Sequence, residues 1–150
     1  MAISEVQTQA PGDDIYGFQP INYLRLDAVG TPDDTSAIIK TLQRGDYFIS
    51  TGEVLIPSYS VQGTGTQRKI VADVEWTFPL DFVEVVWGDG QRTDRQIIST
   101  TELGGFGQRH FEIPFDATGK KWVRFAAWDV AGNGALEQPI KLNSAPTATK

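Results

Sequence analysis

Past Gly45 the apolar residues recur at every second position through to the C-terminus, and only one short stretch before it repeats with a helical period. That division narrows the fold more than any other feature of the chain. It is clearest in Lys69 to Phe78, where Ile70, Ala72, Val74, Trp76 and Phe78 point one way while Val71, Asp73, Glu75 and Thr77 point the other. Phe82 to Trp87 follows Pro79, with Val83, Val85 and Trp87 opposite Glu84, and Gly88-Asp89-Gly90 supplies a hairpin signal. Thr93 to Ser99 forms a weaker strand around Ile97 and Ile98, ahead of the glycine-rich Gly104 to Gly107. Arg109 to Phe115 turns Phe111, Ile113 and Phe115 inward and His110 and Glu112 outward. In Lys121 to Asp129, Val123, Phe125 and Ala127 alternate with Trp122, Arg124, Ala126 and Trp128, and either set can be the core. Ala131 to Gly134 then turns the chain into a last strand, Gln138 to Leu142. Strands in hairpin-like succession, separated by turn residues, predict a mainly β chain: an immunoglobulin-like antiparallel β-sandwich with one N-terminal α-helix.

Asp33 to Gln43 is that helix. Asp34 or Thr35 can cap its first amides, Ala37, Ile38, Ile39 and Leu42 share a face that needs an apolar surface, and Gly45 supplies the left-handed stop. A short strand after Pro20 precedes it, over Ile21 to Asp27. Two extended segments follow, Asp46 to Ser50 and Glu53 to Ile56, continuing past Pro57 into Tyr59 to Val61 only at an edge or a bend. The predicted divisions are a tail over 1–14, a helix–strand junction over 15–62 packed on or leading into the sandwich, a sandwich over 63–143 and a tail over 144–150.

Composition excludes more than it identifies. At 150 residues and 40% apolar content the chain can bury a core without staples, and no cysteine offers a disulfide or a thiolate ligand. The net charge of −6 is spread along the chain, so it presents no basic footprint for nucleic acid or anionic lipid. The first residues lack the basic and apolar regions of a leader, and no run of about 18 apolar residues suggests a membrane helix. The compartment is not legible; a periplasmic or secreted setting is slightly favoured.

Two stretches carry a resemblance. Leu42, Arg44, Gly45, Phe48, Ile49, Thr51 and Gly52, together with the INYLRLD run before the helix, resemble the segment that closes polymerase-and-histidinol-phosphatase (PHP) type metallohydrolases of the CehA/McbA group. There a helix and strand lead out of the catalytic barrel, often into a β-sandwich. Val123 to Gly134, with Asp129, Ala131, Gly132 and Asn133 at the turn, is similar to the last hairpin of immunoglobulin-like modules in bacterial surface and secreted enzymes. The first resemblance implies a parent hydrolase with a cluster of His and Asp/Glu metal ligands. This chain has one histidine, His110, so the resemblance implies that the cluster lies upstream of Met1 and that the chain is the accessory, C-terminal end of that protein. Its partner would be the upstream catalytic domain, docked on Ile38, Ile39, Leu42 and Phe48.

No residue set in the chain itself forms a reaction centre, and no cofactor is expected. His110 reads as a solvent-facing strand residue. Asp89 with Asp94, and Asp129 with Asn133, carry oxygen atoms that suit Ca²⁺ but lack the dense spacing of a calcium loop, so turn capping is the preferred reading. Asp73, Glu75, Glu84 and Glu112 read as solvated strand faces. The alternative function is a carbohydrate-binding module that stacks a glycan on Trp122 and Trp128, with Arg124 between them and Tyr59 nearby.

Overall fold

A computed structural model describes residues 20–31 and 33–142, so both predicted tails lie outside the described residues. The elements run β1 (Ile21–Leu24), α1 (Ser36–Arg44), β2 (Tyr47–Ser50), β3 (Val54–Gln62), β4 (Gln67–Trp76), β5 (Leu80–Gly88), β6 (Thr93–Ser99), β7 (Gly107–Asp116), β8 (Trp122–Asp129), β9 (Gly134–Glu137) and β10 (Ile140–Lys141). Of the expected last strand over Gln138 to Leu142 only Ile140–Lys141 pairs, and the longer strand at this end, β9, lies before it over Gly134–Glu137. Pro139 has no amide to give, and pairing stops at β9 and resumes for the two residues of β10.

All strand pairs are antiparallel, and they form two packed sheets. The small sheet has the order β3-β4-β7, and the large one β1-β2-β9-β8-β5-β6 with β10 beside β8. Taken alone, β3 to β9 place the first, second and fifth strands on one layer and the seventh, sixth, third and fourth on the other. This is the Greek-key order of an immunoglobulin-like sandwich, with the fourth strand beside the third. The hairpin-like succession read from the sequence therefore holds only in part. The chain changes sheets after β2, β4, β6 and β7. Pro79 and the Gly104-Gly105 pair sit in two of those crossings, where no ladder bond is required of them.

The alternation fixes the core as expected. Ile70, Val74, Val83, Val85, Val123, Phe125 and Ala127 are fully buried between the layers, which settles which face of β8 is inside. Phe78 lies beyond the end of β4 and is exposed, outside the core that the alternation assigned it to. Pro57 marks an irregularity in the β3–β4 register, on a strand at the edge of its sheet.

The predicted junction over 15–62 divides at its second turn. Ser50 donates its hydroxyl to the Val54 carbonyl and accepts the Gly52 amide at 2.8 Å, and Gly52 takes φ 106, so the chain leaves the large sheet there. Downstream, β3 is the first strand of the sandwich. Upstream, β1 and β2 extend the large sheet beyond β9. Phe48 is buried at 5% exposure and stacks on Tyr23 with ring centroids 5.0 Å apart, so it belongs to the core and offers no docking surface.

Helix α1 starts at Ser36. Asp34 accepts the Ser36 amide at 2.9 Å, Thr35 makes no side-chain cap, and Gly45 at φ 72 closes the C-terminus with its amide on the Leu42 carbonyl. The expected apolar contact face is displaced. Thr41 is the residue that α1 buries, while Ile38 and Ile39 remain 41% and 49% exposed.

A polar link joins the two layers at this edge. Arg25, just past β1, donates two bonds to Glu137 of β9, at 2.5 and 3.3 Å. It also reaches the carbonyls of Ile56 and Pro57 in β3, at 2.5 and 2.9 Å. The irregularity around Pro57 leaves those carbonyls outside the β3–β4 ladder, so the guanidinium satisfies acceptors on both sheets. Burial pushes the Glu137 carboxyl up to about 7, with Arg25 opposing.

Candidate functional site

The outer face of the large sheet carries the aromatic candidates. On β8 this face presents Trp122, Arg124, Ala126 and Trp128, opposite Gly88, Val86, Glu84 and Phe82 of β5. Both indoles are half-buried and lie over a glycine of the neighbouring strand. A Cβ on Gly134 would sit 2.3 Å from Trp128, and one on Gly88 would sit 2.5 Å from Trp122. The register pairs Trp128 with Gly134 and Trp122 with Gly88, so each ring fills the space that a missing side chain leaves. Ala126 and Val86 on this same face are 0% and 6% exposed, which shows how closely it is covered.

Glu84 is the main departure on this face. The sequence reading placed it among solvated carboxylates, yet it is 5% exposed. It accepts the Trp128 indole N–H at 3.2 Å and pairs with Arg95 of β6 at 3.3 Å. Period 2 correctly places Glu84 opposite Val83 and Val85; it does not reveal that large neighbours cover the outer face. A carboxylate set between an indole and an arginine from the strands on either side of it had no local signal. Arg124 stands between the indoles along β8, and its guanidinium makes no ion pair or hydrogen bond among the described residues.

Tyr59 is not part of this face. It packs against the core from β3, stacks on Phe125 at 6.4 Å and donates its hydroxyl to the Val123 carbonyl at 3.4 Å. Burial, and then the Glu137 charge, push its phenol far above the ordinary range. The proposed grouping of Tyr59 with Trp122 and Trp128 therefore fails, because the rings lie on opposite sides of the large sheet.

The cation candidates also separate. Asp89 and Asp94 flank the β5–β6 turn, while Asp129 and Asn133 occupy the β8–β9 turn at the other end of β5. One oxygen of Asp129 accepts the amides of Ala131 and Asn133 at 2.9 and 2.8 Å, and the other accepts the Asn133 side-chain amide at 2.9 Å. Asp89 accepts the amides of Gln91 and Arg92, both at 2.7 Å, and these bonds hold its pKa below the usual carboxylate value. Asp94 accepts the Arg95 amide at 2.8 Å. Turn chemistry accounts for these oxygens, and no group of three or more metal-ligating side chains occurs among the described residues.

His110 faces outward on β7, in a cross-strand row with Asp73 of β4 and Ser58 of β3. Its Nδ1 lies 2.6 Å from Asp73, and Nε2 lies 3.9 Å from Glu112. The Ser58 hydroxyl donates to Asp73 rather than to the imidazole. These bonds, from Ser58 first and then from His110, hold the Asp73 pKa low. The order is serine, carboxylate, imidazole. A nucleophilic triad needs the imidazole in the middle to take the hydroxyl proton, so this row ties three strands together without activating Ser58.

Of the predicted docking residues, Ile38 and Ile39 are exposed on α1, Leu42 is half-buried and Phe48 is in the core. No helix among the described residues is long and apolar enough to cross a membrane. No family model, curated protein or solved structure matches this chain.

Proposed function

We propose that the chain is a non-catalytic accessory β-sandwich that packs against, and stabilises, another domain of its own polypeptide. The observation that carries this reading is the outward display of Ile38 and Ile39 on α1. A nine-residue helix is marginal alone and normally turns its largest apolar side chains inward. Here Thr41 is turned in and the isoleucines are left out. The likeness of residues 42–52 to the exit from PHP-type metallohydrolases suggests the occupant, the preceding catalytic domain.

Hydrogen exchange tests the reading directly. The α1 amides are expected to be protected in the full polypeptide that the gene encodes and to exchange faster in residues 1–150 alone. Ile38→Lys with Ile39→Lys is expected to remove that extra protection while leaving the melting of the isolated chain unchanged. Equal exchange in the two contexts, or a gene encoding no further folded domain, sinks the proposal.

A second reading has its own support. Trp122 and Trp128 lie flat on the sheet on either side of the uncommitted Arg124, an arrangement that suits stacking of a glycan's apolar face with a hydroxyl or carboxylate on the guanidinium. Loss of glycan-array binding on Arg124→Ala, with the fold intact, separates this reading from docking. Arrays that show no binding by the unsubstituted chain dismiss it.

A further inference from the structure

Four loops meet at the end of the sandwich away from α1. The Thr77 amide reaches the Glu53 carbonyl at 3.1 Å, the Val130 amide reaches Pro79 at 3.0 Å, and Thr51 reaches Gly134 at 3.1 Å. The Trp76 indole N–H donates to the Gly104 carbonyl at 3.0 Å and anchors the β6–β7 loop. Phe106 extends from that loop at 82% exposure, the most exposed aromatic ring among the described residues. A soluble domain gains nothing in its own core from such a ring.

Phe106 lines an open cleft of about 600 Å³ whose other walls include Leu55, Glu53, Glu75 and Gln108. An adjoining hollow of about 420 Å³ shares Glu75 and Gln108 and leads along the small sheet to Asp73 and His110. The charges in the cleft are one-sided. Among the described residues the Glu75 carboxylate makes no ion pair or hydrogen bond, and the Glu53 carboxylate accepts only the Thr77 hydroxyl. Neither Lys nor Arg lines the cleft itself. The cation beside it, Arg109, is already held by Glu102 at 3.4 Å and by the Phe111 ring at 5.4 Å.

We infer that this cleft binds the basic side chain of a partner peptide, an arginine or lysine whose head pairs with Glu75 while its stem lies between Phe106 and Leu55. An aromatic face attracts a cation electrostatically, the aliphatic stem covers apolar surface, and the carboxylates supply the counter-charge. An anionic ligand would meet two carboxylates. A neutral sugar would hydrogen-bond to Glu75 and Gln108 yet leave the charge uncompensated. The adjoining hollow gives the peptide backbone a continuation beside Gln108. This site is independent of docking through α1, since β2 separates the two ends, and both surfaces can be occupied together.

Amide NMR of residues 1–150 tests it with three probes: N-acetyl-arginine amide, its neutral isostere N-acetyl-citrulline amide, and a neutral linear hexasaccharide. One cation–π contact and one exposed ion pair support only millimolar affinity, so each probe is taken to about 50 mM. The arginine probe is expected to shift the amides of Glu75, Phe106, Gly107 and Gln108. Glu75→Gln and Phe106→Ala should each weaken it by about three- to tenfold without moving the melting temperature, since both side chains are exposed. The citrulline probe should bind more weakly by a similar factor. The proposal is overturned by shifts that are absent or scattered, by equal binding of arginine and citrulline, or by either variant retaining full affinity. A response to the hexasaccharide alone overturns it too and makes the cleft a polyol site.

Discussion

Replacing Arg25 by methionine removes the cation from a carboxylate that is 2% exposed, along with the two donors that Ile56 and Pro57 use between the sheets. Breaking a buried pair by deleting one partner costs about 3–5 kcal/mol, because the remaining charge has neither water nor counter-ion. With a urea m-value of roughly 2 kcal/mol/M, that loss lowers the unfolding midpoint by about 2 M, read by tryptophan fluorescence. The cost depends on pH, and its sign follows from Glu137. Its carboxyl titrates near 7 in the folded chain against an ordinary 4.5, so the native state holds the proton more tightly than the unfolded one. This group's contribution is therefore fully present below pH 4.5 and is lost as pH rises through 7, a swing of order 3 kcal/mol at 1.36 kcal/mol per unit. Removing Arg25 raises the folded value further, so the penalty of Arg25→Met should grow from pH 5 to pH 8. Arg25→Met combined with Glu137→Leu should recover most of the loss, because an apolar pair leaves no orphan charge. A single-variant loss below about 1 kcal/mol at pH 8, or losses in the double variant that simply add, would refute the reasoning.

Other parts of the structure give equally direct outcomes. Gly134→Ala and Gly88→Ala should each destabilise by about 1–3 kcal/mol, since the new methyl meets an indole, and Trp128→Leu or Trp122→Leu in the same chain should relieve the clash; paired melting curves check this. Asp129→Ala deletes three turn bonds and should cost about 1–3 kcal/mol, whereas millimolar Ca²⁺ should leave the unsubstituted chain's melting unchanged. Asp73 has a depressed pKa, so the stability it gives is present above the ordinary carboxylate value and is lost as pH falls through the lower folded one. Asp73→Asn should flatten the acid limb of the stability profile, measured by urea unfolding between pH 5 and pH 2.

The sandwich was legible because its signal is local. A strand with one buried face must alternate, and Ile70 to Trp76 and Phe111 to Phe115 announce both their extended conformation and their inner side. The Asp129 to Asn133 turn was legible for the same reason, since its bonds run between residues at most four apart. Helix α1 was visible from its stop at Gly45, but not the face it buries. The packing of Thr41, and the exposure of Ile38 and Ile39, depend on neighbours that periodicity does not name.

What only the tertiary structure decided is every feature that joins residues distant in the chain. The Arg25–Glu137 pair spans 112 residues, and the Glu84–Trp128 bond spans 44. The cleft beneath Phe106 needs β3, β4 and β7 to be neighbours, an order that period 2 cannot supply. By itself the sequence determined which residues are extended, where the chain turns and which acidic side chains cap those turns. Burial of Glu84, removal of Tyr59 from the tryptophan face, and the meeting of Glu75 with Phe106 came from the way two sheets cross over. Alternation specifies the face of a strand; the free energy of packing whole sheets together decides which strand lies beside it.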